Sequence, residues 1–318
     1  MLSLQDIEAA ASIVYGAMPP TPQYAWPLLA KRTGCEVWVK HENHTPTGAF
    51  KVRGGLVYMD RLKRERPDLA GVVSATRGNH GQSIALAAAR AGVTATIVVP
   101  WGNSVEKNAA MRAFGAELVE DGHDFDAARE VAKRLAGERG LAMVPSFHRD
   151  LVCGVATYAL ELFRSAPSLD TVYVPIGLGS GICGTIAVRD ALGLSTKVVG
   201  VVSTEAPAYA LSFAAGKVVA TNSADTMADG MAVRGPDAEA LAVVLKGADR
   251  IVEVSDAEIA TAMRAYYEDT HQLTEGAGAA SLAALTQERD RMAGKRVGLI
   301  LSGGNIDRPL YLRTLAGD

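Results

Sequence analysis

The chain has 318 residues, of which 48% are hydrophobic and 21% are charged, and its formal net charge is −3. This length favours about two domains, the composition predicts a large apolar core rather than a disordered chain, and the slightly acidic balance argues against a nucleic-acid-binding protein. Apolar runs stay shorter than the ~20 residues that span a bilayer. Cys35, Cys153 and Cys183 form no CxxC pair, which argues against a disulfide framework or a zinc site and is typical of a protein of the reducing cytosol.

The first predicted element is a helix that begins after Ser3, with Asp6 as the acidic residue of its first turn. The same stretch lacks the basic segment and the continuous apolar core of a signal peptide, so we expect a cytoplasmic protein. Residues 18–27, MPPTPQYAWP, are rich in proline, which blocks helix formation and predicts an extended connector.

Beyond the connector, short β-rich runs alternate with longer alanine-rich runs. Strands are predicted over residues 36–42, 71–75, 94–100, 171–176 and 197–203, and a strand that runs into a turn over 296–305. Helices are predicted over 80–92, 104–114, from the glycine loop near 180 to about 193, and over 255–269 and 276–288. Apolar strands that alternate with helices indicate an α/β fold with parallel sheets covered by helices on both faces.

A glycine loop, GLGSGICG at 177–184, follows one of these strands and begins a helix. Such a turn offers backbone N–H groups to a phosphate. Gly179, Gly181 and Gly184 also match the GxGxxG pattern, and Glu205 follows at about the spacing of a dinucleotide-binding fingerprint. A tight turn without a ligand is the third interpretation, since a lone glycine pattern is a weak signal.

Three further segments stand where strands end, which is where α/β folds bind ligands. They are TPTGAFKVRGG at 45–55 with Lys51, the turn at 74–81, and the turn at 302–305. Binding of NAD leaves all three without a function. A smaller phosphorylated cofactor that needs a lysine accounts for all three and for the glycine loop.

Four motifs in this order, HENHTPTGAFKVRGG, SATRGNHGQS, VPIGLGSGICG and LILSGGN, resemble those of the fold-type II pyridoxal-phosphate enzymes, the tryptophan synthase β family, and within it the serine/threonine dehydratases. TMADGMAVRGP and LTEGAGAASLAAL also resemble dehydratase segments. The resemblance implies two domains, each an open, mostly parallel sheet covered by helices, with pyridoxal 5′-phosphate in the cleft between them. Residues 1–43 and 150–318 then form a large cofactor-binding domain, residues 44–149 a small mobile substrate domain, and the protein a homodimer.

The resemblance also assigns the cofactor contacts. Lys51 becomes the Schiff-base lysine, Phe50 packs beside the ring, Ser302 faces the pyridine nitrogen and Asn79 the 3′-oxygen. A further group of residues holds the phosphate through its backbone amides: Gly177, Leu178, Gly179, Ser180 and Gly181. Leu178 and Ser180 interrupt the run of glycines that is usual in the family, and Leu178 can still supply its amide if its φ is negative.

Substrate binding is assigned to Thr76, Arg77, Gly78, Asn79 and His80, in which Thr76 and the amides of residues 78–81 hold the substrate carboxylate. Arg77 departs from the family, which commonly has serine there, and an arginine is a poor base at neutral pH. Serine-racemase activity is therefore disfavoured. Arg77 either clamps an anionic or polar group of the substrate or points outward to solvent or an acidic neighbour.

Two other departures concern metal and regulation. Several relatives bind a divalent cation through a glutamate and, six residues on, an aspartate; Glu205 matches the first position, but Leu211 stands at the second. We therefore expect no metal. The chain ends soon after LILSGGN, so we expect no C-terminal regulatory domain and a degradative role.

The predicted activity is that of a lyase that converts a β-hydroxy amino acid of the threonine or serine type to a 2-oxo acid and ammonia. Arg77 motivates a more polar substrate as the alternative, such as 3-hydroxyaspartate or an acetylated hydroxydiaminobutyrate, as in a hydroxyectoine-utilisation dehydratase. A β-replacement synthase, a nicotinamide oxidoreductase and a non-catalytic amino-acid sensor remain as further alternatives.

Overall fold

A computed structural model describes residues 2–317, which form ten strands, fourteen α-helices and two short 3-10 helices, Glu42–His44 and Asp229–Met231. The strands are β1 Gln23–Ala25, β2 Glu36–His41, β3 Gly71–Ala75, β4 Thr94–Val99, β5 Glu117–Glu120, β6 Ala142–Met143, β7 Thr171–Pro175, β8 Lys197–Ser203, β9 Arg250–Val254 and β10 Arg296–Leu301. The helices are α1 Leu4–Tyr15, α2 Pro27–Thr33, α3 Lys51–Glu65, α4 Asn79–Arg90, α5 Val105–Ala113, α6 Phe125–Arg139, α7 Arg149–Ser165, α8 Ser180–Ala191, α9 Ala208–Ala215, α10 Ala238–Gly247, α11 Asp256–Thr270, α12 Gly276–Gln287, α13 Arg289–Met292 and α14 Arg308–Ala316.

The strands form two separate sheets. A six-stranded sheet has the order β1-β2-β10-β7-β8-β9, and a four-stranded sheet has the order β5-β4-β3-β6. Every pairing is parallel except that of β1 with β2, which is antiparallel. Helices α12 and α8 cover the larger sheet, and α4 and α6 pack on the smaller one. This confirms the predicted α/β fold with two open, mostly parallel sheets.

The predicted elements agree with the observed ones within one or two residues. The strands predicted over 71–75 and 197–203 are β3 and β8 with the same bounds. The N-terminal helix begins as predicted, because the Ser3 side chain accepts from the Asp6 amide while the Asp6 carboxylate accepts from Ser3. The connector at 18–27 is extended and includes β1.

Helix α3, which begins at Lys51, has two adjacent glycines that make it look like a loop in the sequence. A Cβ on Gly54 would lie 2.7 Å from the Leu151 carbonyl oxygen of α7, and one on Gly55 would lie 2.2 Å from Ser83 Oγ of α4. The glycines therefore permit close helix packing on both sides of α3, and this packing fixes the position of Lys51.

The loops at the carboxyl ends of β3, β7 and β10 meet between the two sheets, together with the start of α3. The boundaries at 43/44 and 149/150 between the two domains stay a prediction. Within residues 2–317, no helix is long and apolar enough to cross a membrane.

Candidate active site

A cavity of about 900 Å³ lies between the two sheets. Side chains from both sides line it. The smaller sheet contributes the turn at 76–80 and part of α5, and the larger sheet contributes the glycine loop, the segment at 220–235 and Ser302. The four segments that the sequence singled out therefore lie around one space.

Lys51 projects into this cavity from the first residue of α3. Its Nζ lies 3.3 Å from Ser180 Oγ in the glycine loop and 5.0 Å from the centroid of the Phe50 ring. Burial lowers the pKa of Lys51 to about 8, although the charge of Glu275 opposes this shift. Lowering the pKa of a lysine increases the fraction of neutral amine near neutral pH, which is the form that attacks an aldehyde.

Two carbonyl groups of the glycine loop, which lines the cavity, are bound by tyrosine hydroxyls of the protein. The Leu178 carbonyl accepts from the Tyr209 hydroxyl at 2.9 Å, and the Gly181 carbonyl accepts from the Tyr158 hydroxyl at 2.9 Å. Gly179 adopts a φ of 102°, which favours glycine. Among residues 2–317, His271 is the single non-glycine residue with positive φ. Leu178 therefore has a negative φ, which is the condition under which it can supply its amide to a phosphate.

The other two members of the dinucleotide pattern, Gly184 and Glu205, do not line the cavity that the glycine loop faces. Gly184 is needed for packing, since a Cβ there would lie 3.0 Å from the Ala156 backbone of α7. Glu205 is exposed, and its carboxylate accepts from the neighbouring Thr204 hydroxyl at 3.4 Å.

In the part of the chain that the structure describes, no three His, Cys, Asp or Glu side chains are grouped so that they could hold a metal ion.

Ser302 and Lys51 are brought together by backbone contacts. The Phe50 amide donates to the Ser302 carbonyl at 3.0 Å, and Ala49 pairs with Gly303 in an isolated antiparallel bridge. Phe50 packs edge-on against Tyr158, with ring centroids 6.0 Å apart. The predicted ring-facing serine, the predicted Schiff-base lysine and the predicted ring neighbour thus share one wall of the cavity.

The turn at 76–80 leads from β3 into α4. The Thr76 hydroxyl accepts from the Gly78 and Gly81 amides at 3.0 and 3.2 Å, which shapes the turn. The amides of Asn79 and His80 belong to the first turn of α4, where N–H groups lack acceptors within the helix. Burial lowers the pKa of His80 to about 3, helped by the charge of Lys51, and its neutral ring has a buried Nε2 without a hydrogen-bond partner among the described residues.

Arg77 lies at the rim of the cavity rather than deep inside it. Its side chain is 52% exposed, and its Nε lies 3.1 Å from Asp229 Oδ1. Of the two orientations considered, the structure has the one toward an acidic neighbour. That neighbour itself lines the cavity, so the guanidinium remains within reach of a ligand.

Four residues of this site escaped the sequence analysis. Asp229 and Glu275 occur inside the quoted segments TMADGMAVRGP and LTEGAGAASLAAL, and Asn305 inside LILSGGN, but no role was assigned to them. Lys107 carried no signal, because it looks like one more polar residue of an amphipathic helix. Its Nζ lies 3.1 Å from Asp229 Oδ2 and 3.8 Å from Glu275 Oε2.

These groups fit the expected cofactor. An amine of lowered pKa can bond an aldehyde, and a glycine cradle at the start of α8 can hold a phosphate dianion. The cradle tolerates little side-chain bulk, since a Cβ on Gly177 would lie 2.3 Å from the Gly230 carbonyl oxygen. Ser302 supplies a hydroxyl rather than a carboxylate, which suits a neutral pyridine nitrogen.

Comparison with known proteins also indicates a pyridoxal-phosphate enzyme. A family model described as pyridoxal-phosphate dependent enzyme matches residues 14–303. The L-threonine ammonia-lyase of Thermotoga maritima is 34% identical over 311 residues, which cover 96% of this chain and 76% of that protein. The L-threo-3-hydroxyaspartate ammonia-lyase of Saccharomyces cerevisiae is 31% identical and covers 98% of this chain and 96% of its own.

A solved structure shows the same architecture. The processed form of threonine deaminase isoform 2 from Solanum lycopersicum superposes with a TM-score of 0.92 at 30% identity, covering 99% of this chain and 92% of that one.

Proposed function

The chain belongs to the pyridoxal-phosphate-dependent enzymes, in which it is an ammonia-lyase of β-hydroxy amino acids, and we propose that its substrate is of the threonine or serine type. The observation that carries the activity is the approach of the Lys51 amine to Ser180 Oγ at 3.3 Å, on the same wall as Ser302. The substrate type is supported by the similarity to an L-threonine ammonia-lyase. This wall joins an amine, a phosphate cradle and a ring-facing hydroxyl.

Pyridoxal 5′-phosphate, when bound, supplies an electron sink for the negative charge that develops at the substrate Cα. Lys51 would hold the cofactor and, once released by the substrate amine, accept the Cα proton. Its lowered pKa suits this base, because a neutral amine is available near the working pH. Gly177, Leu178, Gly179, Ser180 and Gly181 would hold the phosphate through the amides of the loop.

The start of α4 would bind the substrate carboxylate. The amides of Asn79 and His80 and the positive end of the helix dipole favour an anion at this place. Thr76 and Gly78 shape the turn, and the hydroxyl of Thr76 can donate to a carboxylate oxygen while it accepts from the two amides. A carboxylate held here would orient the Cα–H bond relative to Lys51.

Ser302 favours elimination over slower reactions of the same cofactor. A hydroxyl near the pyridine nitrogen would not keep it protonated as a carboxylate would, so the electron sink would be weaker. This would favour loss of the β-hydroxyl, which takes up a proton and leaves as water, over slower chemistry. The enamine that remains takes up water and releases ammonia. The net products are one 2-oxo acid and one ammonia for each substrate.

A second candidate substrate is a more polar β-hydroxy amino acid, such as 3-hydroxyaspartate or a hydroxydiaminobutyrate derivative. Arg77 favours it, because an exposed guanidinium at the rim can bind a carboxylate in two-point fashion. Asp229 would keep Lys107 as its partner if Arg77 turned to a ligand, so the exchange leaves no buried charge unpaired. The relative from yeast carries 3-hydroxyaspartate in its name.

The test is an assay of 2-oxo acid and ammonia with L-serine, L-threonine and L-threo-3-hydroxyaspartate. We expect turnover of at least one of them, and loss of all turnover in Lys51→Ala. If Arg77 selects a polar substrate, Arg77→Ser lowers kcat/KM for hydroxyaspartate about tenfold or more relative to threonine. A protein that makes a thioether from a thiol, and no oxo acid, would instead be a β-replacement synthase.

We also propose a homodimer in the cytoplasm, as the resemblance implies. Sedimentation velocity of the purified protein tests the first part: a single species of about twice 33.3 kDa is expected, and a monomer at micromolar concentration would contradict it.

A further inference from the structure

Six polar side chains form one continuous chain of contacts across the cleft. From the interior to the rim they are Asn305, Asn79, Glu275, Lys107, Asp229 and Arg77. Successive members come alternately from the side of the larger sheet and from the side of the smaller sheet. Every contact in this chain therefore joins the two sides of the cleft.

The inner end of the chain fixes the orientation of the Asn79 amide. Asn305 Nδ2 donates to Asn79 Oδ1 at 2.9 Å, and Asn79 Nδ2 donates to Glu275 Oε1 at 2.7 Å. A flipped amide would place donor against donor at one end and acceptor against acceptor at the other. Because an amide nitrogen has two N–H bonds, the second remains for a ligand in the cavity that Asn79 lines.

Asn305 and Glu275 are themselves held in place. Asn305 also donates to the Thr47 carbonyl at 2.7 Å, which ties it to the segment before Lys51. Glu275 is 5% exposed and faces three charged groups, Lys107, Asp229 and Lys51. Burial raises the pKa of Glu275, while Lys107 and the Asn79 contact oppose the shift. Burial alone would lower the pKa of Lys107, yet Glu275 and Asp229 raise it above its ordinary value, so the lysine stays protonated.

We propose that Glu275 and Asn305 are positioning residues, which hold the Asn79 amide from across the cleft so that its second N–H meets the ring oxygen of the cofactor. The inference rests on the proposed function, in which Asn79 faces the 3′-oxygen. Two residues on the side of the larger sheet would thus orient Asn79, which lies on the side of the smaller sheet. Lys107, Asp229 and Arg77 extend the same chain outward to the entrance.

The visible absorption band of the bound cofactor tests the proposal without turnover, because the band responds to hydrogen bonding at the ring oxygen. Glu275→Ala removes the acceptor of Asn79, so we expect a shifted band and kcat lowered about tenfold or more, the effect of one misplaced hydrogen bond. Glu275→Gln keeps an oxygen that can accept from Asn79, so its band should stay near that of the unaltered protein. A purely structural role would make both variants less stable and leave both bands in place.

A double variant separates positioning from general damage. If Glu275 acts through Asn79, Glu275→Ala adds little to the band shift and to the loss of kcat in Asn79→Ala, whereas independent roles give additive losses. Should Glu275→Ala fail to fold, Asn305→Asp replaces the group that donates to Asn79 Oδ1 at nearly constant size and is expected to shift the band as well.

The matched control is Arg234→Gln, since Arg234 also crosses the cleft but contacts Asp124 and Asp126 outside the chain. Its band should not move. An unshifted band in both Glu275→Ala and Asn305→Asp, or an equal shift in Arg234→Gln, would overturn the proposal. A protein without any visible band would instead contradict the proposed function itself.

Discussion

Two ionic networks flank Lys51, and they differ in what surrounds them. In the first, Arg53 lies between Glu42 and Glu161 with N···O distances of 2.7 and 2.6 Å, and Lys40 adds a contact of 2.5 Å to Glu161. The side chains of Arg53, Glu42 and Lys40 are 0% exposed. The second network is the chain across the cleft, which ends at the half-exposed Arg77.

The buried network joins β2, α3 and α7 behind the site, so it fixes where α3 begins and therefore where Lys51 stands. Its two cations and two carboxylates balance in charge, and removing one leaves a buried charge unpaired. The cleft network links two surfaces that a substrate must pass between. Arginine, lysine and carboxylate side chains thus serve two purposes. In the buried network they hold helices and strands rigidly together, and in the cleft network they form contacts that can break and form again next to solvent.

The largest expected effect comes from breaking the buried network. Arg53→Met leaves Glu42 without its cation, and we expect the free energy of unfolding to fall by about 3–5 kcal/mol. Urea denaturation measures it. The control is Arg64→Met, whose pair with Asp60 is exposed, so its effect should stay below about 0.5 kcal/mol. Equal losses in the two variants would show that burial does not distinguish these pairs.

The two lysines of the cleft should respond differently to pH. The pKa of Lys51 is lowered to about 8 by burial, whereas two carboxylates raise that of Lys107. The neutral amine bonds the aldehyde, so the rate of pyridoxal 5′-phosphate uptake by the cofactor-free protein should rise about tenfold per pH unit below 8 and level off above it. Stopped-flow absorbance measures the rate, and a plateau reached only above pH 10 would contradict the lowered pKa.

The smallest expected effect is at the outer lip of the cleft. Arg234 is 44% exposed and pairs with Asp124 at 3.4 Å and with Asp126. Exposed pairs contribute about 0–1 kcal/mol and are screened by salt. Arg234→Gln should therefore change the unfolding free energy by less than about 1 kcal/mol, and the difference from the unaltered protein should shrink as sodium chloride is added. A loss as large as that of Arg53→Met would show that exposure does not weaken an ionic contact across this cleft.

Much of the fold could be predicted from the sequence, because buried parallel strands are short apolar runs such as GVVSA at 71–75. Helix α3 could not, since Gly54 and Gly55 weaken a helix in isolation and are explained only by the helices that approach them. The predicted site residues surround one cavity, because each follows a strand whose carboxyl end faces the cleft.

The rest of the site depended on contacts distant in sequence. Asn79 and Glu275 are 196 positions apart, and nothing near either residue predicts their hydrogen bond. The direction of Arg77 was undecided for the same reason, because it depends on where the fold places Asp229. Local patterns indicate which residues lie at a site, and tertiary packing decides which of them orient one another.

The central claim is that Lys51 carries the cofactor, and borohydride reduction followed by peptide mass spectrometry tests it most directly. Reduction fixes the cofactor to the amine that holds it. We expect the added mass on the peptide that contains Lys51 and its absence in Lys51→Ala. Labelling of Lys107, the other buried lysine of the cavity, or no labelling of a protein incubated with pyridoxal 5′-phosphate, would contradict the account.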